Sequence, residues 1–547
     1  MNYLMTNCLS FFAVTLLAAP VCRAQAPYEV CVYGETASGV SAAIQAARMG
    51  KRVVLVSTNA HVGGMTTSGL TATDINRNTL IGGIAREFYG QLYAWYENPD
   101  AWRCQEREAF FVASQKRTFT GKNDALKIQW VYESHVGEKI QRAMLRDAGV
   151  ELALNERLDL ERGVEKGDGR IRRIKMESGR GFAAQVFIDA TYEGDLMALA
   201  GVSYTVGREA NSQYGESLNG VRLNPVIGRE GKSVDPYVVE GDPASGLLPY
   251  IEPRVWAKDG EADPRRVQAY CYRLTLTDDP ANRVAIERPA AYDPALYEVL
   301  ARMLQISPET QLQEIITLTP MPNRKTDTNK LNLIGANYEY PEGDYATRQR
   351  IGQRHRDFAL GMLWFLAHDQ RVPPHIRAEM KPWGLPRDEF PDNGHFPYQL
   401  YVREARRMVG EYVMSEKNCR RVDSEPASES IGVGTYMLDS HQFSRVLDHD
   451  AKLRYEGGLA GKSVSYPISY RSITPKRDEC PNLLVPVCVS ASHVAYSSIR
   501  MEPVYMVLGQ SAGAIASLAI DHRCDVQQLD YSELKQTLLD AGQILQP

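Results

Sequence analysis

Residues 28–57 read YEVCVYGETASGVSAAIQAARMGKRVVLVS, and the spacing within this stretch decides the fold. An apolar, β-branched run ends at Gly34, a helical pattern covers Ser38 to Met49, and a second apolar run occupies Arg52 to Val56. A strand–helix–strand unit of about 30 residues places a helix amino terminus at the carboxyl ends of parallel strands. Its connecting loop is G-E-T-A-S-G, with Gly34 and Gly39 at the first and third glycine positions of a G-x-G-x-x-G fingerprint and Thr36 in the middle. Gly34 permits the tight turn, and Gly39 permits close packing of helix on strand. At Thr36 a side chain stands where bare backbone normally meets a pyrophosphate, so its hydroxyl is expected to supply a contact, with Ser38 beside it. At the end of the second strand, where an acid would bind a ribose hydroxyl, the chain has Ser57, a weaker partner.

A second glycine-rich stretch follows at once, His61-Val62-Gly63-Gly64-Met65-Thr66-Thr67-Ser68-Gly69-Leu70. Farther on, Val186 to Asp195 (VFIDATYEGD) reads as a buried strand and a turn, with Asp189, Ala190 and Thr191 at the turn. Near the carboxyl end, Arg500-Met501-Glu502-Pro503 and Gly509-Gln510-Ser511-Ala512-Gly513 precede an Ala-rich helix reaching Ile520.

Taken in order, these segments resemble the FAD-dependent oxidoreductases with a glutathione-reductase-like flavin fold. Within them the chain looks like a secreted or periplasmic bacterial group with a GGM-T-x-GL segment, some members of which are labelled xanthan lyase. The likeness extends through Val267 to Leu276, Met321 to Asn329, Tyr398 to Gly410 and Ile468 to Arg477, nearly the whole chain. It implies an α/β fold: a Rossmann-like FAD-binding domain assembled from three stretches, with an inserted α+β substrate-capping domain. The expected divisions are a signal peptide at 1–24, flavin domain at 27–200, cap at 201–465 and flavin domain again at 466–547. The implied cofactor contacts are Gly34, Thr36, Ser38, Gly39, Ser57, Gly63, Gly64, Met65, Thr66, Asp189, Ala190, Gly509, Ser511, Ala512 and Gly513. The last group would bring a helix amino terminus to the flavin ring, where it stabilises negative charge.

Composition sets the outer limits. Sixty-two basic against 67 acidic residues give a net charge of −5, with 44% hydrophobic and 24% charged residues. That excludes disorder, collagen and multi-span membrane classes, and it offers no electrostatic footprint for nucleic acid. Leu9 to Ala19 is apolar but shorter than the ~20 residues that span a bilayer. It reads as a signal-peptide core with cleavage after Ala24, which implies a periplasmic or secreted protein. Seven cysteines follow Ala24, with no C-x-x-C and no Cys/His cluster, so no metal site is expected. Cys480 and Cys488 are close enough in sequence to pair, although buried free thiols are the commoner outcome.

Hydride transfer requires a base for the substrate hydroxyl, and His493 leads directly into the helix expected at the flavin. Arg500 lies on the same approach and suits an anion. His395, in the turn-rich Asn393 to Pro397, is a third catalytic candidate, while Lys325 and Asp327 are weaker substrate contacts. Tyr398 to Met414 has the spacing of one amphipathic helix whose Arg403, Glu404, Arg406 and Arg407 form a solvated or salt-bridged face. Helices are also expected at Asp293 to Leu304 and Asp357 to His368, and a loop from Gly201 to about Pro264. No H-E-x-x-H occurs, and neither G-K-S has the earlier glycine of a P-loop. Gly509 to Gly513 fits G-x-S-x-G, but the only later histidine is His522, so a hydrolase triad has no room.

The expected substrate is small and polar, carbohydrate or carbohydrate-derived, and the electron acceptor can be oxygen, a quinone or a protein partner. Two alternatives compete: a polysaccharide lyase, and a binding protein that keeps the flavin fold without its cofactor.

Overall fold

Val30, Cys31 and Val32 are all fully buried, so the first strand, β1 (Tyr28–Tyr33), presents apolar side chains to both faces of its sheet. Burial on both faces is the signature of a strand inside a parallel sheet. In the computed structural model, which describes residues 28–115, 121–229 and 231–547, β1 pairs in parallel with β2 (Val53–Val56) and β6 (Gly181–Asp189). β2 also pairs in parallel with β3 (Glu151–Ala153), whereas β4 (Val164–Gly167) and β5 (Arg170–Lys175) continue antiparallel beyond β6. A strand from near the carboxyl end, β12 (Leu483–Leu484), lies parallel to β6. The sheet therefore draws on residues 28–189 and 483–484. The expected signal peptide at 1–24 lies outside the described residues.

Helix α1 (Ala37–Arg48) covers this sheet, and α4 (Glu502–His522) packs on α1. The α4 helix is long and apolar enough to cross a membrane, but 94% of its most apolar window is buried within the protein. An apolar surface all round here marks a core helix. The two helices meet at Gly509 and Gly513. A Cβ at Gly509 would stand 2.1 Å from the Ser38 carbonyl oxygen, and one at Gly513 would stand 2.4 Å from that of Ala42. The sequence reading placed Gly509 to Gly513 at the flavin, before the helix. They lie instead in the second and third turns of α4, where the small residues let two backbones touch.

The middle of the chain holds a three-stranded antiparallel sheet, β7 (Leu274–Thr277), β9 (Lys325–Asn329) and β8 (Thr317–Met321), and a long helix, α2 (Tyr345–His368). A further antiparallel pair, β10 (Leu438–Ser440) with β11 (Leu459–Gly461), lies against α3 (His493–Ile499). The expected helix from Asp357 is the second half of α2, and that from Asp293 is a 3₁₀ turn (Pro294–Tyr297) running into a helix at Glu298–Ile306. The expected loop after Gly201 contains short strands at Leu223–Val226 and Ile251–Glu252.

Tyr398 to Met414 is not a helix; its only strand is Arg407–Met408, paired with Tyr204–Thr205. The charges explain why. Arg406 reaches Asp195 at 2.7 Å, while its neighbour Arg407 turns to Glu209 at 2.6 Å and Glu404 at 2.8 Å. Partners on opposite sides suit an extended chain and not one face of a helix. All four charged residues are buried, so the expected solvated or salt-bridged face is internal, with Glu404, Arg406 and Arg407 in ion pairs and Arg403 bonded to the Ala269 carbonyl. All seven described cysteines are free thiols, Cys480 and Cys488 included, and both of these are buried.

Gly509→Ala adds helix propensity worth about 1 kcal/mol, yet its Cβ has no space against the Ser38 carbonyl. The expected result is a net loss of about 1–3 kcal/mol, characteristic of overpacking, measured by urea unfolding.

Candidate functional site

The two glycine loops lie side by side. Gly63 N donates to the Glu35 carbonyl at 2.6 Å, and a short 3₁₀ turn (Gly64–Thr67) follows directly. Gly34 holds φ at +110°, and a Cβ there would come within 2.6 Å of the Ala190 carbonyl carbon. Gly39 presses on the Gly34 carbonyl oxygen, where a Cβ would stand at 1.9 Å. These glycines carry out the turn and close approach expected of the fingerprint. A cavity of about 480 Å³ opens where Gly34, Glu35 and Thr36 meet Gly64, Thr191 and Arg348.

The Thr36 hydroxyl is engaged within the protein. It donates to the Ala190 carbonyl at 2.7 Å and accepts from Gly39 N at 3.2 Å, capping α1. The first amides of α1 have no intrahelical partner, and with the helix dipole they favour an anion. Arg348 adds positive charge at the cavity wall, anchored to Asp195 by two bonds at 2.5 and 2.8 Å; Asp195 is also held by Arg406 at 2.7 Å.

Ser57 is not in the cavity wall. Its side chain is fully buried and donates to the Asn59 carbonyl at 2.7 Å. The acid missing from that strand end comes from the other loop. The Glu35 carboxylate accepts from Thr58 N at 3.0 Å, Thr58 Oγ1 at 2.9 Å and Asn59 Nδ2, and both Glu35 and Thr58 line the cavity. Sequence reading missed Glu35 because it looked for the acid where strand order puts it. The residue inside the fingerprint reaches the same place through space. Burial raises its pKa, against the hydrogen bonds that lower it.

The other expected cofactor residues support the cavity from behind. Asp189 closes the turn after β6 by accepting from Thr191 Oγ1 at 2.6 Å and Met197 N at 2.8 Å, and burial raises its pKa to about 6. Thr66 donates to the Gly63 carbonyl at 2.7 Å, and Met65 N donates to the Tyr192 hydroxyl at 3.0 Å. Ser38 Oγ is buried without a partner. Ser511 donates to the Ile431 carbonyl at 2.9 Å, and Ala512 is wholly buried in α4.

Glu502, the first residue of α4, was also missed. Its Oε1 accepts from the Tyr192 hydroxyl at 2.8 Å, and its Oε2 is a buried carboxyl oxygen with no partner. Desolvation raises its pKa to about 8. The glycine cradle, the start of α1 and the carboxylate at Thr58 together fit a dinucleotide, and Tyr192, which lines the same cavity, bonds Glu502 behind it.

The three catalytic candidates are not brought together here. His493 and Arg500 are buried at the two ends of α3, while half-buried His395 bonds the Glu389 carbonyl at 3.2 Å. Arg500 pairs with the Tyr401 hydroxyl at 3.0 Å and the Asp439 carbonyl at 2.7 Å, not with Glu502. Lys325 is enclosed by Glu133, Asp388 and Glu389 at 2.7 to 2.9 Å, and Asp327 by Arg273 at 2.7 and 2.8 Å. Glu133, His135 and Glu389 have the proximity of metal ligands, and the Lys325 ammonium bonds both glutamates. The base and cationic neutraliser that a lyase would need are likewise not assembled from His395 and the buried arginines.

A family model described as "FAD dependent oxidoreductase" matches residues 29–538. No curated protein sequence matches the chain. Among solved structures, L-proline dehydrogenase from P. horikoshii is similar at 15% identity and a TM-score of 0.23, covering 34% of this chain and 58% of that one. L-amino acid deaminase from Proteus vulgaris is similar at 14% identity and a TM-score of 0.23, covering 36% of this chain and 54% of that one.

Two measurements check the site. Glu35→Gln removes a charge-assisted acceptor worth about 1.5–3 kcal/mol, so FAD affinity should fall ~10- to 100-fold, while FMN, which has no adenosine ribose, should bind unchanged. For Glu502 the folded pKa exceeds the unfolded one, so the native state binds the extra proton, and stability falls as pH rises from about 4.5 towards 8. Glu502→Gln mimics the protonated form. Its melting temperature should match wild type at pH 4.5 and exceed it increasingly towards pH 8.

Proposed function

The chain belongs to the FAD-dependent oxidoreductase family, and from that premise we propose that it oxidises a small hydroxylated substrate, of carbohydrate-derived type, by hydride transfer to FAD. The observation that carries this reading is the cavity of about 480 Å³ lined by both glycine loops, at Gly34 to Thr36 and Gly64, where Thr36 caps the start of α1. In it the α1 amino terminus and Arg348 would hold the pyrophosphate, and Glu35 the adenosine ribose. Glu502, neutral at pH 7 on its raised pKa, would give the flavin a hydrogen-bonding carboxylic acid at the start of α4. Bound FAD supplies the hydride acceptor. The chain supplies position, positive potential and exclusion of water, which is what a cofactor enzyme asks of its protein. Residues 201–465 form the substrate cap in this reading, with export directed by residues 1–24 and reoxidation by an external acceptor.

Protein expressed without residues 1–24 should be yellow, with an oxidised-flavin spectrum, and heating should release FAD at near-stoichiometric yield. Colourless protein that also refuses added FAD would overturn the proposal.

A further inference from the structure

A second cavity, of about 790 Å³, shares no lining residue with the one at the glycine loops, and its wall holds a charge that the protein does not balance. Of the four ionic side chains in that wall, Glu314 and Lys330 belong to exposed residues, and Asp439 lies 3.6 Å from Arg500. The fourth is Arg445, which is only 9% exposed.

Arg445 sits in the strand Ser444–Leu447, and among the described residues its guanidinium makes a single hydrogen bond, from Nη2 to the Pro249 carbonyl at 2.9 Å. Its Nε is buried with no partner. The ionisable groups that act on it are the phenols of Tyr455, Tyr338 and Tyr250, so burial pulls its pKa down with no acid to hold it up. Arg208, Arg273, Arg348 and Arg407 show the contrast, each buried with a carboxylate at 2.5 to 2.7 Å. A buried cation is costly unless paired, and the planar fork of a guanidinium matches the two oxygens of a carboxylate. At Arg445 that partner has to come from outside the chain.

The rest of the wall decides what else such a ligand carries. Tyr455 stands directly opposite Arg445 in the antiparallel pair with Leu453–Glu456, so the two side chains share a face, and both line the cavity. The Tyr455 hydroxyl makes no hydrogen bond among the described residues and is free to donate to the same anion. Another part of the wall is apolar: Leu296, Leu300 and Met303 recur at helical spacing along Pro294–Ile306, and Met362 joins them from α2. Each of these four leaves part of its apolar surface uncovered. His441, also in the wall, stays neutral, because burial and the charges of Arg403, Arg500 and Arg273 lower its pKa. One unbalanced guanidinium matches one negative charge, which favours a monoanion over a doubly charged phosphate.

We infer that this cavity is a binding site for an amphipathic monocarboxylate, a fatty acid of medium chain length, with its carboxylate on Arg445 and Tyr455 and its chain along Leu296, Leu300 and Met303. The site is separate from the cofactor cavity, takes no part in hydride transfer and does not depend on the oxidoreductase reading. Its ligand supplies the counter-charge that Arg445 lacks, and binding to the native state alone stabilises the fold.

The test titrates the purified protein at pH 7 by calorimetry with octanoate, kept below its micelle concentration, and with butanoate, 1-octanol and inorganic phosphate. Octanoate should bind one per chain and raise the melting temperature. Butanoate should bind at least ~10-fold more weakly, for want of methylene burial, and octanol at least ~10-fold more weakly, for want of charge-assisted hydrogen bonds. Arg445→Met should bind octanoate no more tightly than octanol, with a melting temperature equal to or above wild type, because the cation removed was uncompensated. Tyr455→Phe should lower octanoate affinity about threefold or more with the melting temperature retained. Octanol or phosphate binding as tightly as octanoate, an Arg445→Met protein that keeps the wild-type preference, or no binding of octanoate to the wild type would each overturn the inference, the last leaving Arg445 as an arginine solvated by cavity water. If Arg445→Met does not fold, the wild-type series and Tyr455→Phe decide.

Discussion

Backbone contact at the start of α1 is the constraint on which the remaining structure depends. Gly34 lies against the Ala190 carbonyl carbon, Gly39 against the Gly34 carbonyl oxygen and Gly509 against the Ser38 carbonyl oxygen, each without room for a Cβ. These contacts join β1, the end of β6, α1 and α4, which are separated by up to 470 residues of chain. The loop that leads into α1, Gly34 to Thr36, lines a cavity. That cavity is the basis of the proposed cofactor site.

A second set of constraints is electrostatic. Asp195 binds Arg348 from α2 and Arg406 from the 398–414 segment, and Glu404 binds Arg407 and His493. Buried charges of this kind are tolerated only when paired, and removal of one partner leaves the other uncompensated in low dielectric. The network ties the central part of the chain to both the amino-terminal sheet and the carboxyl-terminal helices. It also explains why residues with the composition of a surface helix lie inside.

What was legible from sequence was local. The β1–α1–β2 unit follows from apolar periodicity and two glycines, and the structure reproduces it within a residue or two. The carboxyl-terminal helix was legible from its apolar, small-residue content, but Gly509 to Gly513 satisfied two explanations, ligand approach and helix packing, that only tertiary contact separates. Glu35 was hidden because its role depends on a neighbour across the sheet, and Glu502 because burial, invisible in a string, is what makes its carboxyl unusual. Arg403 to Arg407 misled for the same reason: helical spacing describes a face, and these charges have none. His493 was chosen for its place before α4, whereas its pairing with Glu404 depends on the distant 398–414 segment.

The central claim is that the cavity at the β1–α1 turn holds the dinucleotide, with Glu35 standing in for the absent acid after β2. A crystal structure of the FAD complex tests this most directly. The account predicts the pyrophosphate at the first amides of α1, the adenosine ribose hydroxyls within hydrogen-bonding distance of Glu35, and the flavin ring beside Glu502. A dinucleotide bound elsewhere, or a ribose held by Ser57 with Glu35 turned away, would contradict it.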